Sequence, residues 1–139
     1  MALDSSTVQV GDSHEAVVVE NLTRTQIVQY AGASGDYNPI HTDEVFATQV
    51  ADYPSVFAHG MLTMGMTGRM LTDLVGAGRL TKFGGRFTSQ VWPGDTLIAS
   101  ATVTAVEERD GVVVAHFDVA TRNQQGVAVF TGSASARLD

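Results

Sequence analysis

The stretch from Gly60 to Val75 limits the folds open to this chain more than any other segment. Met61, Leu62, Met64, Met66, Met70, Leu71, Leu74 and Val75 spread around most of a helical surface, and only Arg69 and Asp73 are charged, spaced i,i+4. A helix that is apolar nearly all round is a buried helix. Gly65 and Gly68 each cost about 1 kcal/mol relative to alanine in a helix interior, a cost that makes sense where something packs very close. After Gly76-Ala77-Gly78 the apolar period changes to two. Leu80 to Trp92 reads as one strand with a bulge at Gly84-Gly85, and Pro93-Gly94-Asp95 as a turn. Thr96 to Val106 alternates, with Leu97, Ala99, Ala101, Val103 and Ala105 on one face. Asp110-Gly111 is a strong hairpin signal, Val112 to Thr121 the return strand, Asn123 to Gly126 a further turn, and Val127 to Leu138 the last strand. A helix buried on all sides among antiparallel strands needs a sheet curved around it, which predicts an α+β architecture with the sheet wrapping a central helix.

The N-terminal third supplies shorter elements. Val8 to Asp12 reads as an entry segment ending in a turn, and Glu15 to Glu20 as a first strand. Thr23-Arg24-Thr25-Gln26 is a capping box that opens a helix through about Ala33. Gly32 and Gly35 end it. Thr42-Asp43-Glu44 starts another short helix through about Gln49, with its acidic residues where the dipole favours them.

Between those helices lies Gly35-Asp36-Tyr37-Asn38-Pro39-Ile40-His41. Asn38-Pro39 forbids a helix here, because the residue before a proline is pushed out of the α region. Asp36 and His41 therefore meet only if the loop folds back and aims both side chains at one spot. A carboxylate and an imidazole directed at one water are the parts needed for general acid–base chemistry. A second histidine follows in Ala58-His59-Gly60-Met61-Leu62, at the mouth of the apolar helix. Beside a helix start, His59 reads as a residue that holds loop backbone. Asp36, His41 and His59 could also share a metal ion, although no His-x-x-x-His spacing is present.

Composition excludes several classes of function. The chain has 139 residues, 44% apolar and 17% charged, enough for one cored domain spanning residues 1–139. It contains no cysteine, which removes disulfides and thiolate metal sites and fits a reducing, cytoplasmic setting. The N-terminus from Met1 to Ser6 has neither a basic start nor an apolar run, so no secretory signal is expected, and no stretch approaches a membrane span. A formal net charge of −7 argues against nucleic acid as a partner. Four of the eight basic residues, Arg69, Arg79, Lys82 and Arg86, nevertheless cluster in sequence. They read either as a solvated face or as a landing site for a phosphorylated ligand.

The string Asp36-x-Asn38-Pro39-x-His41, followed by Ala58-His59-Gly60-Met61-Leu62 at the start of an apolar helix, resembles the MaoC-like hydratases. These are hot-dog-fold (R)-specific enoyl-CoA hydratases and 3-hydroxyacyl-thioester dehydratases. The resemblance runs from about Val8 to Leu138. It implies a hot-dog fold, activation of water by Asp36 and His41, and a backbone N–H from Gly60 to the thioester carbonyl. Asn38 and Pro39 shape the loop. Several members carry a serine on the central helix bonded to the aspartate; Gly68 stands at that position here, with Thr67 and Thr63 the nearest hydroxyls.

The reaction implied is reversible addition of water across a trans-2-enoyl thioester, with Asp36, His41 and Gly60 catalytic. Asn38, Tyr37, His59, Met61 and Arg86 are the expected substrate contacts, and no cofactor or metal is expected. The substrate is an acyl-CoA or acyl-carrier-protein thioester. The expected assembly is a homodimer, or a heterodimer with a similar subunit, joined at sheet edges. The rival readings are a hot-dog thioesterase, which would release free thiol, and a non-catalytic acyl-binding partner of an active subunit.

Overall fold

Thr23 begins the first helix as the capping box predicts. In the computed structural model, which describes residues 2–138, its hydroxyl accepts from the Gln26 N–H while the Gln26 side chain accepts from the Thr23 N–H. Met1 and Asp139, the ends of the expected domain, lie outside the described residues. The helix, α1 (Arg24–Ser34), follows strand β1 (Ser13–Val19) and ends at Gly35, whose φ of 76° is the left-handed cap that glycine adopts without strain. The expected helix after His41 forms with a difference. Asp43 caps it through the Phe46 N–H at 3.1 Å, but Phe46–Val50 winds as a π-helical turn.

Helix α2 (Gly60–Val75) and strands β2 (Leu80–Phe87), β3 (Leu97–Arg109), β4 (Val112–Arg122) and β5 (Ala128–Arg137) complete the fold. The strands form one antiparallel five-stranded sheet in the order β1-β3-β4-β5-β2. This is the α+β hot-dog arrangement the sequence implies. Asp110 (φ 52°) and Gly111 (φ 77°) make the β3–β4 hairpin turn with two left-handed residues, as an Asp-Gly loop should. The inner face carries many small residues: Ala99, Ala101, Ala115, Ala134 and Ala136 are all buried. They leave room for α2, whose Met70, Leu71, Leu74 and Val75 pack onto Phe117, Val119 and Phe130. A second apolar cluster, Val19, Leu22, Ile27, Ala58, Val91, Leu97 and Val129, holds α1 and the segment before α2 against the sheet.

Three expectations need correction. The strand from Leu80 stops at Phe87 rather than Trp92. The Thr88 N–H still donates to the Val129 carbonyl of β5, but further on the Val91 carbonyl accepts from Ala58 at 2.8 Å, tethering the residue before His59. No bulge sits at Gly84-Gly85; the register of that pair shifts between Leu80 and Lys82. Gly85 instead faces Gly132 across the ladder, and a Cβ on either would overlap the other strand's backbone. Finally, α2 is not enclosed on every side. Met61, Gly65, Arg69 and Asp73, each four residues apart, form an exposed strip. The close approach expected at Gly65 is absent, whereas at Gly68 the Phe83 ring lies 3.3 Å from where a Cβ would sit. Methionine and glycine carry no polarity to mark the open face in the sequence.

His116 and His14 read as incidental in the sequence. His116 points to the outer face of β4, bonded to Ser135 Oγ at 2.7 Å and to the Glu107 carboxylate.

Candidate active site

Two successive Asx turns shape the loop after α1. The Asp36 carboxylate accepts the Asn38 N–H at 3.2 Å, and the Asn38 side chain accepts the Ile40 N–H at 3.2 Å. The His41 N–H then closes onto the Asn38 carbonyl at 3.1 Å. Asn38 is thus a loop-shaping residue by direct observation. The folded-back loop brings a carboxylate oxygen of Asp36 and a ring nitrogen from each of His41 and His59 to within 4.8 Å of one another. Asp36 is exposed, while both histidines are buried.

The backbone fixes the histidine tautomers. His41 Nδ1 lies 2.7 Å from the Phe57 carbonyl, which can only accept, so Nδ1 carries the proton and Nε2 is left as a bare acceptor. His59 Nε2 lies 3.0 Å from the Asp36 carbonyl and donates to it, leaving Nδ1 as the bare nitrogen of the neutral ring. The rings stack with centroids 3.8 Å apart, and Tyr30 meets the edge of His59. Burial is the main force pushing the His41 pKa below its ordinary value. The Phe57 hydrogen bond raises it, the neighbouring His59 lowers it, and Asp36 raises it. His41 therefore stays neutral near pH 7.

The same three groups are close enough to hold an ion, as the sequence allowed.

His59 is also the residue before the first turn of α2. Its side chain makes no cap, and the first N–H groups of the helix have no intrahelical acceptor. Gly60 opens that turn beside a groove of about 290 Å³ lined by Phe57, Gly60, Phe87, Thr88, Ser89 and Gln90. A Cβ at residue 60 would meet the Phe87 ring at 2.9 Å, so only glycine leaves this approach clear. Phe83 meets Phe130 edge-on and Phe87 tilts against it, both with ring centroids 5.7 Å away.

The remaining expected contacts are more dispersed. Tyr37 and Met61 are 69% and 54% exposed, so both present apolar surface to solvent at the site's edge. Arg86 is exposed between Phe87 and Gly85 and, by strand alternation, leaves β2 on the face opposite Phe87. Sequence reasoning missed the Phe57 carbonyl and Glu44. The Glu44 carboxylate binds Arg24 of α1 at 2.6 Å and the Val56 N–H at 3.3 Å, tying α1 to the segment that precedes His59. Arg24 accordingly holds the Glu44 pKa below its usual range. A backbone carbonyl leaves no trace in side-chain patterns, and Glu44 looks like a first-turn acid.

Known proteins share the family domain and the fold. The profile of the MaoC-like domain matches residues 6–124. The 3-hydroxyacyl-thioester dehydratase Y of Mycobacterium tuberculosis is 39% identical over 89 residues, covering 62% of this chain and 31% of that protein. The peroxisomal enoyl-CoA hydratase 2 of Arabidopsis thaliana is 31% identical over 121 residues, 79% of this chain and 39% of that protein. This chain thus spans well under half the length of both. Among solved structures, the (R)-hydratase of A. caviae involved in PHA biosynthesis superposes with a TM-score of 0.83 at 26% identity, covering 96% of this chain and 98% of that one.

Proposed function

Because the chain belongs to the MaoC-like domain family, we propose that it adds water reversibly across trans-2-enoyl thioesters to give (R)-3-hydroxyacyl thioesters. The observation that carries this reading is the convergence of the Asp36 carboxylate and the His41 ring, with His41 Nδ1 committed to the Phe57 carbonyl. The carboxylate and the bare Nε2 are both acceptors. Together they hold the two hydrogens of one water and leave its oxygen lone pair free to attack C3 of the enoyl group. As the C–O bond forms, one of the pair takes the water's proton, and the negative charge moves to the thioester oxygen. That enolate is held by the Gly60 N–H at the positive end of α2, where donor and dipole act together. The enolate collapses when the pair returns the proton to C2. Both groups accept from the same water, so the roles of base and acid are assigned to the pair rather than to either residue.

His59 supports this arrangement by holding the Asp36 carbonyl. Tyr37 and Met61 offer apolar surface to the acyl chain, and Arg86 offers a cation to the phosphates of coenzyme A or of a carrier protein. No cofactor enters the scheme. We read the chain as one such domain, acting in the cytoplasm. β1 and β2 are edge strands with open hydrogen-bonding rows. Pairing with a second copy or a similar subunit would cover such an edge.

The test is direct. Purified protein is mixed with trans-2-enoyl-CoA esters of several lengths, loss of the conjugated thioester absorbance is followed, and product chirality is resolved. Hydration to the (R) product is expected. Release of free thiol would make the chain a thioesterase, and no turnover without a second subunit would make it a binding partner.

A further inference from the structure

Helix α2 carries a line of polar side chains into the apolar interior. His59, Thr63 and Thr67 fall four residues apart, hence on one helix face, and none is more than 2% exposed. Thr121 joins them from the inner face of β4, equally buried, with its hydroxyl 2.6 Å from that of Thr67. The direction of these bonds can be worked out. Thr67 donates its single hydroxyl proton to the Thr63 carbonyl at 2.9 Å, so Thr121 is the donor in the Thr121–Thr67 pair. The Thr67 proton points toward the N-terminus of α2. At the other end His59 Nε2–H donates to the Asp36 carbonyl, again toward the site.

Two atoms interrupt the line. His59 Nδ1 and Thr63 Oγ1 are buried and make no hydrogen bond among the described residues. A buried polar atom without a partner costs about 1–3 kcal/mol, and both sit at adjoining positions of one seam. They are chemical complements: Nδ1 is a bare acceptor, and the Thr63 hydroxyl has a proton with no recipient. A helical side chain leans over the turn N-terminal to its own Cα, which for Thr63 is the turn headed by His59.

We propose that the Thr63 hydroxyl donates to His59 Nδ1 in the working enzyme, which makes Thr63 a positioning residue acting on Asp36 through His59. Two runs of hydrogen bonds then meet at Thr63: Thr121 donates to Thr67 and Thr67 to the Thr63 backbone carbonyl, while the Thr63 hydroxyl donates to His59 and His59 to the carbonyl of Asp36. In the second run the bond from Thr63 polarises the one His59 makes. His59 is locked with its proton on Nε2, the only neutral form that can hold the Asp36 carbonyl. The loop bearing the carboxylate is thereby tied to the rigid sheet rather than to solvent. Gly68, at the position where several members of the resembled family carry a serine, faces Phe83, so support for the aspartate reaches it here by a different path.

This inference rests on the hydratase reading for its kinetic arm and stands apart from it in a spectroscopic one. Thr63→Val keeps the side chain's shape and removes the hydroxyl; Thr63→Ser keeps the hydroxyl. Thr63→Val should lower kcat about tenfold, the loss expected for one aligned hydrogen bond, with KM for a trans-2-enoyl-CoA changed less than about twofold. Thr63→Ser should recover most of the rate. In imidazole ¹⁵N spectra of histidine-labelled protein, assigned with His59→Gln, wild type and Thr63→Ser should show His59 protonated on Nε2 alone. Thr63→Val should show the unprotonated Nδ1 signal displaced, as expected when that nitrogen loses its hydrogen bond. Should Thr63→Val not fold, Thr63→Ala carries the same comparison with Thr63→Ser. An unchanged His59 spectrum in the hydroxyl-free variant, or equal loss of rate in the valine and serine variants, overturns the proposal. If wild type hydrates nothing, the functional reading fails while the spectra still decide this one.

Discussion

The two halves of α2 bury opposite kinds of surface. From Met70 to Val75 the inward residues are Met70, Leu71, Leu74 and Val75, packed on alanines and phenylalanines of the sheet. From His59 to Thr67 the inward residues are a histidine and two threonines, with two polar atoms lacking partners. The same helix therefore anchors the fold at one end and places chemistry at the other. The apolar half is held by area, which is insensitive to direction. The polar half is held by hydrogen bonds, which transmit orientation at a cost in stability. The lesson is that damage in one half should appear as lost stability, and in the other as lost turnover.

Four experiments break or sharpen that contrast. His41→Ala and Asp36→Asn, read by the absorbance assay, should each lower kcat/KM by about 10²–10⁴-fold while leaving the melting temperature within a few degrees. A large loss of stability alongside would erase the distinction. Leu71→Ala should act the other way, costing about 2–5 kcal/mol in denaturant melts while the folded fraction keeps near-normal KM. Thr67→Val lies at the border. It leaves the Thr121 hydroxyl without an acceptor, so about 1–3 kcal/mol of stability should go, with a smaller rate loss than Thr63→Val.

The smallest effect is the pH response. Because His41 has its pKa depressed chiefly by burial, the acid limb of kcat/KM should bend below the ordinary histidine value of about 6.5. The unfolded chain binds this proton more readily than the native one. The stability linked to His41 is thus complete above about pH 6.5 and falls away as pH drops toward the folded pKa. An acid limb centred above 6.5 would remove His41 as the neutral partner.

Much of this architecture is legible in the residues themselves. The Thr23 capping box, the Asp110-Gly111 hairpin and the alternation of Leu97 to Val103 depend on local geometry, and all form as read. Asn38-Pro39 shows in the sequence that no helix joins Asp36 to His41, and the Asx turns of Asp36 and Asn38 supply the fold-back. What stays hidden depends on partners distant in sequence. The strand stops short of Trp92, where the Val91 carbonyl is taken by Ala58. Gly84-Gly85 looks like a bulge until Gly132 is found opposite. The Phe57 carbonyl that sets the His41 tautomer belongs to a backbone group common to every residue type.

The Gly85–Gly132 crossing has a consequence for how this scaffold can diversify. Neither strand accepts any side chain there without pushing the other away, so random variation of the β2–β5 seam is filtered before it reaches selection for new substrates. On the proposed hydratase reading, change in acyl preference falls to the neighbouring rings Phe83 and Phe87, which stand where a Cβ on Gly68 or Gly60 would reach. A directed-evolution library should fix the glycine pair and spend its diversity on those two aromatics.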